Sequence, residues 1–206
     1  MFLHKNQILL RVAFATAILS LASALYANDL GDTGADRLAA EQKARDYFTN
    51  LEVISQDGDR LQFYDDVLKG KVVVISFIFT NCQGACPLMT RNLTMIRDML
   101  GETEREGINF VTISLDPVRD TPAAMKKFAQ THDADQDGWL FLTGQPDHVN
   151  HVTKLLGTYT DDLEAHTTML LAANVRNSHW TKIPPNVPPN GVVERLRLLV
   201  EDNATP

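Results

Sequence analysis

Lys71–Arg91, KVVVISFIFTNCQGACPLMTR, decides how this chain folds. It opens with a nearly unbroken β-branched and aromatic run, Val72, Val73, Val74, Ile75, Phe77, Ile78 and Phe79. Such a run reads as a strand buried on both faces, the kind found inside parallel sheets. Cys82 and Cys86, the only cysteines in the chain, follow in a short polar turn with Asn81, Gln83, Gly84 and Ala85. Pro87 suits the first position of a helix, and Leu88, Met89, Leu93, Ile96, Met99 and Leu100 recur at helical spacing behind it. Both thiols are thus expected near a helix N-terminus, where unpaired N–H groups and the helix dipole favour thiolate over thiol. The four-residue offset puts them on one side of a helical turn, within reach of a single metal ion or of a disulfide.

The chain has 206 residues, 44% hydrophobic and 22% charged, an ordinary globular balance for one domain with a sizeable core. Lys5 and Arg11 are the only charges in residues 1–27, so the remainder carries 17 basic and 26 acidic side chains, a balance of −9. An acidic balance argues against nucleic-acid binding, which needs a basic face. The N-terminus, MFLHKNQILLRVAFATAILSLASALYAND, has a basic start, an apolar run from Val12 to Tyr26, and small residues at Ala22-Ser23-Ala24 and Ala27. It reads as a secretory signal peptide over residues 1–27, cleaved after Ala24 or Ala27. The alternative is an uncleaved anchor, although about 15 apolar residues are short of the roughly 20 that span a bilayer. The expected location is the periplasm, with membrane association only through that uncleaved segment.

Residues 28–47 form a polar, Ala-rich lead, with a short helix expected from about Asp36 to Phe48, and the folded domain is expected over residues 48–206. Leu51–Ile54 and Arg60–Tyr64 flank the turn Gln56-Asp57-Gly58-Asp59 and predict an opening hairpin. After the Cys82–Cys86 helix, which Gly101 is expected to close, Ile108–Leu115 is a second buried strand. It ends in Asp116-Pro117-Val118-Arg119-Asp120-Thr121-Pro122, where Thr121 caps a helix running to about Thr131 and Pro122 is its first residue. Strand, helix, strand and helix in this order imply parallel strands with right-handed crossovers, whose C-terminal ends form the functional edge. Asp133-Ala134-Asp135-Gln136-Asp137-Gly138 copies half of an EF-hand loop, but Gly144 stands where the bidentate Glu is needed, so it reads as a solvated loop before the strand Trp139–Leu142. The following helix, Pro146 to about Gly157, carries His148 and His151 on one face, a spacing that metals accept but that exposed helices often carry for no such reason. No internal repeat is visible.

The string Phe79-Thr80-Asn81-Cys82-Gln83-Gly84-Ala85-Cys86-Pro87 resembles the CxxxCP motif of the Sco/SenC family. DPVRDTP (Asp116–Pro122) is similar to a second signature of that family, and WLFLTG (Trp139–Gly144) to a third. The resemblance spans residues 48–200. It implies a thioredoxin-like α/β fold, with a central mixed sheet, flanking helices and an N-terminal hairpin. It also implies a copper protein that helps assemble the dinuclear copper (CuA) site of cytochrome c oxidase. On the same ground Cys82, Cys86 and His166, a histidine beginning a late strand, are the implied copper ligands, and Asp116 and Asp120 would shape or tune the site. The implied partners are the copper-acceptor subunit of a respiratory oxidase or another copper enzyme, with a copper donor or thiol reductant upstream. The tail departs from the family pattern: Ala172–Asn177 replaces an Asp-Pro-x-Gly turn, and the Pro-rich stretch Ile183–Asn190 leads into a last helix from Gly191 to about Glu201.

Copper(I) accepts two thiolates in low coordination, and copper(II) tolerates a mixture of histidine and cysteine. Zinc fits less well, because three ligands plus water would resemble a catalytic site without a general base. Met89, Met95, Met99 and Met169 are soft donors too, but methionines at helical spacing are usually core filler. The main alternative is a thiol-disulfide reductase that uses Cys82 and Cys86 as a redox pair without His166 and keeps an acceptor's cysteines reduced. Against it, thioredoxin-type reductases carry CxxC and a facing cis-proline, and no proline lies between Pro146 and Pro184. A purely structural disulfide is the weakest reading, since so short a loop gains little chain-entropy stabilisation.

Overall fold

Every residue from Val72 to Ile78 is buried, Ser76 included, as the nearly unbroken apolar run requires. The computed structural model describes residues 38–166 and 168–202; the signal-peptide reading of residues 1–27 and the last four residues lie outside them. The chain divides into two units, Met1–Ala44 and Arg45–Pro206. Residues 38–48 form helix α1. In chain order there follow β1 (Glu52–Ser55), β2 (Arg60–Gln62), a π-helical turn (Phe63–Leu68), β3 (Val72–Ile78), α2 (Ala85–Met99), α3 (Glu102–Gly107) and β4 (Ile108–Ser114). The rest comprises α4 (Pro122–Thr131), β5 (Trp139–Thr143), α5 (Pro146–Leu155), a short 3-10 turn (Leu163–Ala165), β6 (Leu170–Asn174), β7 (His179–Ile183) and α6 (Pro189–Glu201). No described helix is long and apolar enough to cross a membrane.

One seven-stranded sheet runs in the order β2-β1-β5-β4-β3-β6-β7. Its centre is parallel: Val72 to Ile78 of β3 pair with Ile108 to Ser114 of β4, and Phe110 of β4 pairs with Trp139 of β5. The flanks are antiparallel, with β1 on β5, β2 on β1, β6 on β3 and β7 on β6. Val72 and Val74 join Phe110, Phe141, Leu93, Ile96, Phe128 and Leu196 in one cluster that packs α2, α4 and α6 against a face of the sheet. Alternation along the strand turns Val73, Ile75 and Phe77, also buried, to the other face, where α5 contacts β1 and β4. Strand β3 alternately feeds two cores, which is why it has no solvent-facing side.

Several local expectations shift. Helix α2 begins at Ala85, two residues before Pro87, so that Cys86 already lies in its first turn. Gly101 does not simply close α2: Leu100 is its C-cap, and Gly101 instead caps α3, its N–H donating to Glu104 Oε2 at 2.7 Å. Thr121 caps α4 as expected, its Oγ1 accepting from the Ala124 N–H at 3.2 Å. The EF-like loop is pinned by side chains: Lys126 Nζ donates to Asp135 at 2.7 Å and to Asp57 at 2.8 Å, so Asp135 serves an ion pair. Beyond β6 the unusual tail returns as β7, and Trp180 stacks on Phe48 with ring centroids 4.9 Å apart.

Candidate metal centre

The cysteines stand where β3 ends and α2 begins. The Cys82 N–H donates to the Phe79 carbonyl at 3.1 Å, closing a tight turn directly after the strand. Gly84 is the N-cap of α2, with φ −112° and ψ −99°, and offers no side chain to satisfy the first amides. Sulfur takes that place: the Cys86 N–H donates to Cys82 Sγ at 3.4 Å. Neither cysteine is in a disulfide; Cys82 is half-buried and Cys86 fully buried. The two thiols therefore differ in acidity. Burial pushes the Cys86 thiol up to about 12, helped by the hydrogen bond it donates to Cys82. Burial alone would also raise Cys82, but the Cys86 thiol and the amides of Cys86, Gly84 and Ala85 outweigh it and hold Cys82 below the ordinary 9.0. The helix start thus lowers the pKa of Cys82 but not that of Cys86, where desolvation overrides the helix dipole.

His166 follows the 3-10 turn, which Asp162 caps by accepting from the Glu164 N–H at 3.1 Å. It was expected to begin a strand; it lies in the loop four residues ahead of β6, where its ring can turn back over the turn that precedes it. Its Nδ1 is 2.6 Å from the Leu163 carbonyl oxygen. A carbonyl can only accept, so Nδ1 carries the proton and the Nε2 lone pair is left free. That Nε2 lies 3.5 Å from Cys86 Sγ. The Phe79 ring meets the imidazole edge to face, centroids 5.4 Å apart. Cys86 is thus the shared neighbour of Cys82 and His166. Among the described residues no three His, Cys, Asp or Glu side chains already converge on one metal position, so joint ligation by these three requires side-chain adjustment.

A family model of SCO1/SenC proteins matches residues 39–201. The chain belongs to the SCO1/SenC family. It is 39% identical to a SCO1 protein homolog of Bacillus subtilis over 90 residues, which is 44% of this chain and 45% of that protein, so the match spans less than half the Bacillus protein. Among solved structures, a SCO1/SenC family lipoprotein from Bacillus anthracis is 30% identical with a TM-score of 0.64, over 74% of this chain and 94% of that one. ScoI of Bradyrhizobium japonicum, solved with copper bound, is 25% identical with a TM-score of 0.60, over 72% of this chain and 96% of that one. The fold is therefore the thioredoxin-like one of Sco proteins.

In this Sco/SenC chain the two aspartates of the second motif have different surroundings. Asp120 is 1% exposed. Its Oδ1 accepts from the Thr80 N–H at 3.0 Å and the Thr80 hydroxyl at 2.6 Å, and its Oδ2 accepts from Ser114 Oγ at 2.6 Å. Burial nevertheless pushes its carboxyl above the ordinary range, against the hydrogen bonds from Ser114 and Thr80. Asp116 instead pairs with the largely exposed Arg119. His148 donates from Nδ1 to the Glu52 carbonyl at 2.9 Å, which ties α5 to β1. Met89 is core, as expected, whereas Met95 and Met99 are nearly half exposed. The contacts of Thr80, Ser114, Phe79 and the Leu163 carbonyl have no local sequence signal beyond the place of Thr80 and Phe79 inside the CxxxCP string. The donor set, two sulfurs and one free imidazole nitrogen, fits copper in either oxidation state.

Proposed function

We propose that this domain carries copper on Cys82, Cys86 and His166 Nε2 and passes it to the CuA site of cytochrome c oxidase or a similar respiratory copper enzyme. The observation that carries the reading is the 3.5 Å approach of His166 Nε2 to Cys86 Sγ with Nδ1 held by Leu163, an imidazole presented for ligation. The copper-bound ScoI relative supports it. Cys82 is the entry point: it is the more exposed and more acidic thiol, while the buried Cys86 gives up its proton as the ion binds. A groove lined by Asn81, Arg119, Asp161, Asp162 and Glu164 reaches the residue before Cys82, which suits docking of an acceptor. Residues 1–27 would direct export, placing the domain in the periplasm; sequencing the N-terminus of the exported protein tests this.

A second reading rests on the same asymmetry of the thiols. Cys82 as thiolate would attack an acceptor's disulfide, and Cys86 would then attack Cys82 in the mixed disulfide, releasing a reduced acceptor and an oxidised Cys82–Cys86 pair. Mixing the copper-loaded protein with a metal-free CuA-domain separates the two. The carrier reading expects the acceptor's copper absorption to grow as copper leaves the donor. Reduction of an oxidised acceptor with no metal transfer would give first place to the reductase.

A further inference from the structure

We propose that Asp120 is a positioning residue for the metal ligands, acting through Thr80 and Phe79. The inference rests on the copper reading above and extends it to a carboxylate whose hydrogen bonds go to Thr80 and Ser114 rather than to a ligand. Asp120 sits at the end of the loop after β4, yet both of its carboxylate oxygens are committed. Oδ1 takes the N–H and hydroxyl of Thr80, Oδ2 takes the hydroxyl of Ser114, and the Asp120 carbonyl takes the hydroxyl of Thr143 at 2.6 Å. The Asp120 side chain thereby ties the ends of β3 and β4 together, and its main-chain carbonyl adds the end of β5.

Thr80 is the member that matters for the ligands. It directly follows Phe79, whose carbonyl receives the Cys82 N–H at 3.1 Å and whose ring faces His166 at 5.4 Å. Fixing Thr80 therefore fixes the residue that orients one ligand through the backbone and another through its ring. Beyond Thr80 the turn makes no regular sheet pairing, so the Asp120 clamp is the last side-chain anchor before Cys82. Residues in this supporting layer are commonly worth about 10- to 100-fold in metal affinity.

The test compares Asp120→Ala, Asp120→Asn and Thr80→Val in the full chain. Copper(II) affinity is measured by chelator competition, along with the energy of the thiolate-to-copper band, and the Cys82 alkylation rate is measured in metal-free protein. Asp120→Ala and Thr80→Val should weaken copper about 10- to 100-fold, shift the band and change the alkylation rate. Asp120→Asn should stay near wild type, because its amide oxygen still accepts from Thr80 and its NH2 can donate to Ser114. Unchanged band, affinity and alkylation in Asp120→Ala and Thr80→Val would overturn the proposal, as would Asp120→Asn behaving like Asp120→Ala. If Asp120→Ala does not fold, the isosteric Thr80→Val decides. If wild type itself binds no copper, the carrier reading fails, and the Cys82 alkylation rate still decides the positioning role: changed in Thr80→Val it stands, unchanged it falls.

Discussion

The Nε2 atom of His166 stands 3.5 Å from Sγ of Cys86, across 80 residues of chain. The sheet explains how. Strand β6 is antiparallel to β3, with Leu171 opposite Ile75, so β6 begins at the edge where β3 ends. The loop that precedes β6 and the turn that follows β3 must therefore meet. What the topology brings near, the Leu163 carbonyl orients, by holding Nδ1 and leaving Nε2 turned to sulfur.

The thiols should label unequally in reduced, metal-free protein. With Cys82 below the ordinary thiol value and Cys86 raised to about 12, Cys82 gains thiolate at lower pH than a free cysteine. Iodoacetamide followed by peptide mass mapping should find Cys82 modified first, with Cys86 protonated and slow up to about pH 10. Equal rates would show that burial does not separate the pair.

Stability should depend on a hydroxyl far from the metal ligands. Thr112 Oγ1 lies 2.9 Å from Ser76 Oγ and accepts from Trp139 Nε1 at 2.9 Å, joining β3, β4 and β5 inside the core. Thr112→Val keeps the shape but strands the indole N–H, which should cost about 1–3 kcal/mol in urea unfolding. Copper affinity should be unchanged. A variant as stable as wild type would mean that these groups find other partners.

Asp120 should leave a signature in the pH dependence of stability. Its carboxyl is raised above the ordinary 3.8, so the folded state holds that proton more tightly than the unfolded state does. Its contribution is then most favourable below about the ordinary value and is lost as pH climbs through the folded one. The stability of wild type minus that of Asp120→Asn should fall as pH rises from about 4, then level off. A difference that rises over that window would contradict the assignment.

The sequence revealed the fold more fully than the site. The run Val72–Phe79 is β-branched because both of its faces are buried, and that makes β3 readable without a relative. Thr121-Pro122 announces α4 by local capping alone. Strand β7 has no such signal, because His179, Trp180 and Lys182 lie on an edge strand that is only partly buried and carries no apolar alternation. Cys82 and Cys86 are visible as a pair, but the burial that separates their acidities is set by α2 packing. His166 was legible only through the family resemblance, since no local pattern marks a histidine whose neighbour lies 80 residues back. The Asp120 clamp joins Thr80, 40 residues away, and such a link has no periodicity to betray it.

The most direct measurement is an anaerobic titration of the reduced protein with copper(I) and then copper(II), alongside His166→Ala and Cys82→Ser. Tight one-to-one binding is expected, with a thiolate-to-copper(II) absorption band that is lost or altered in both variants. Weak binding, or a His166→Ala protein indistinguishable from wild type, would contradict the three-ligand copper site.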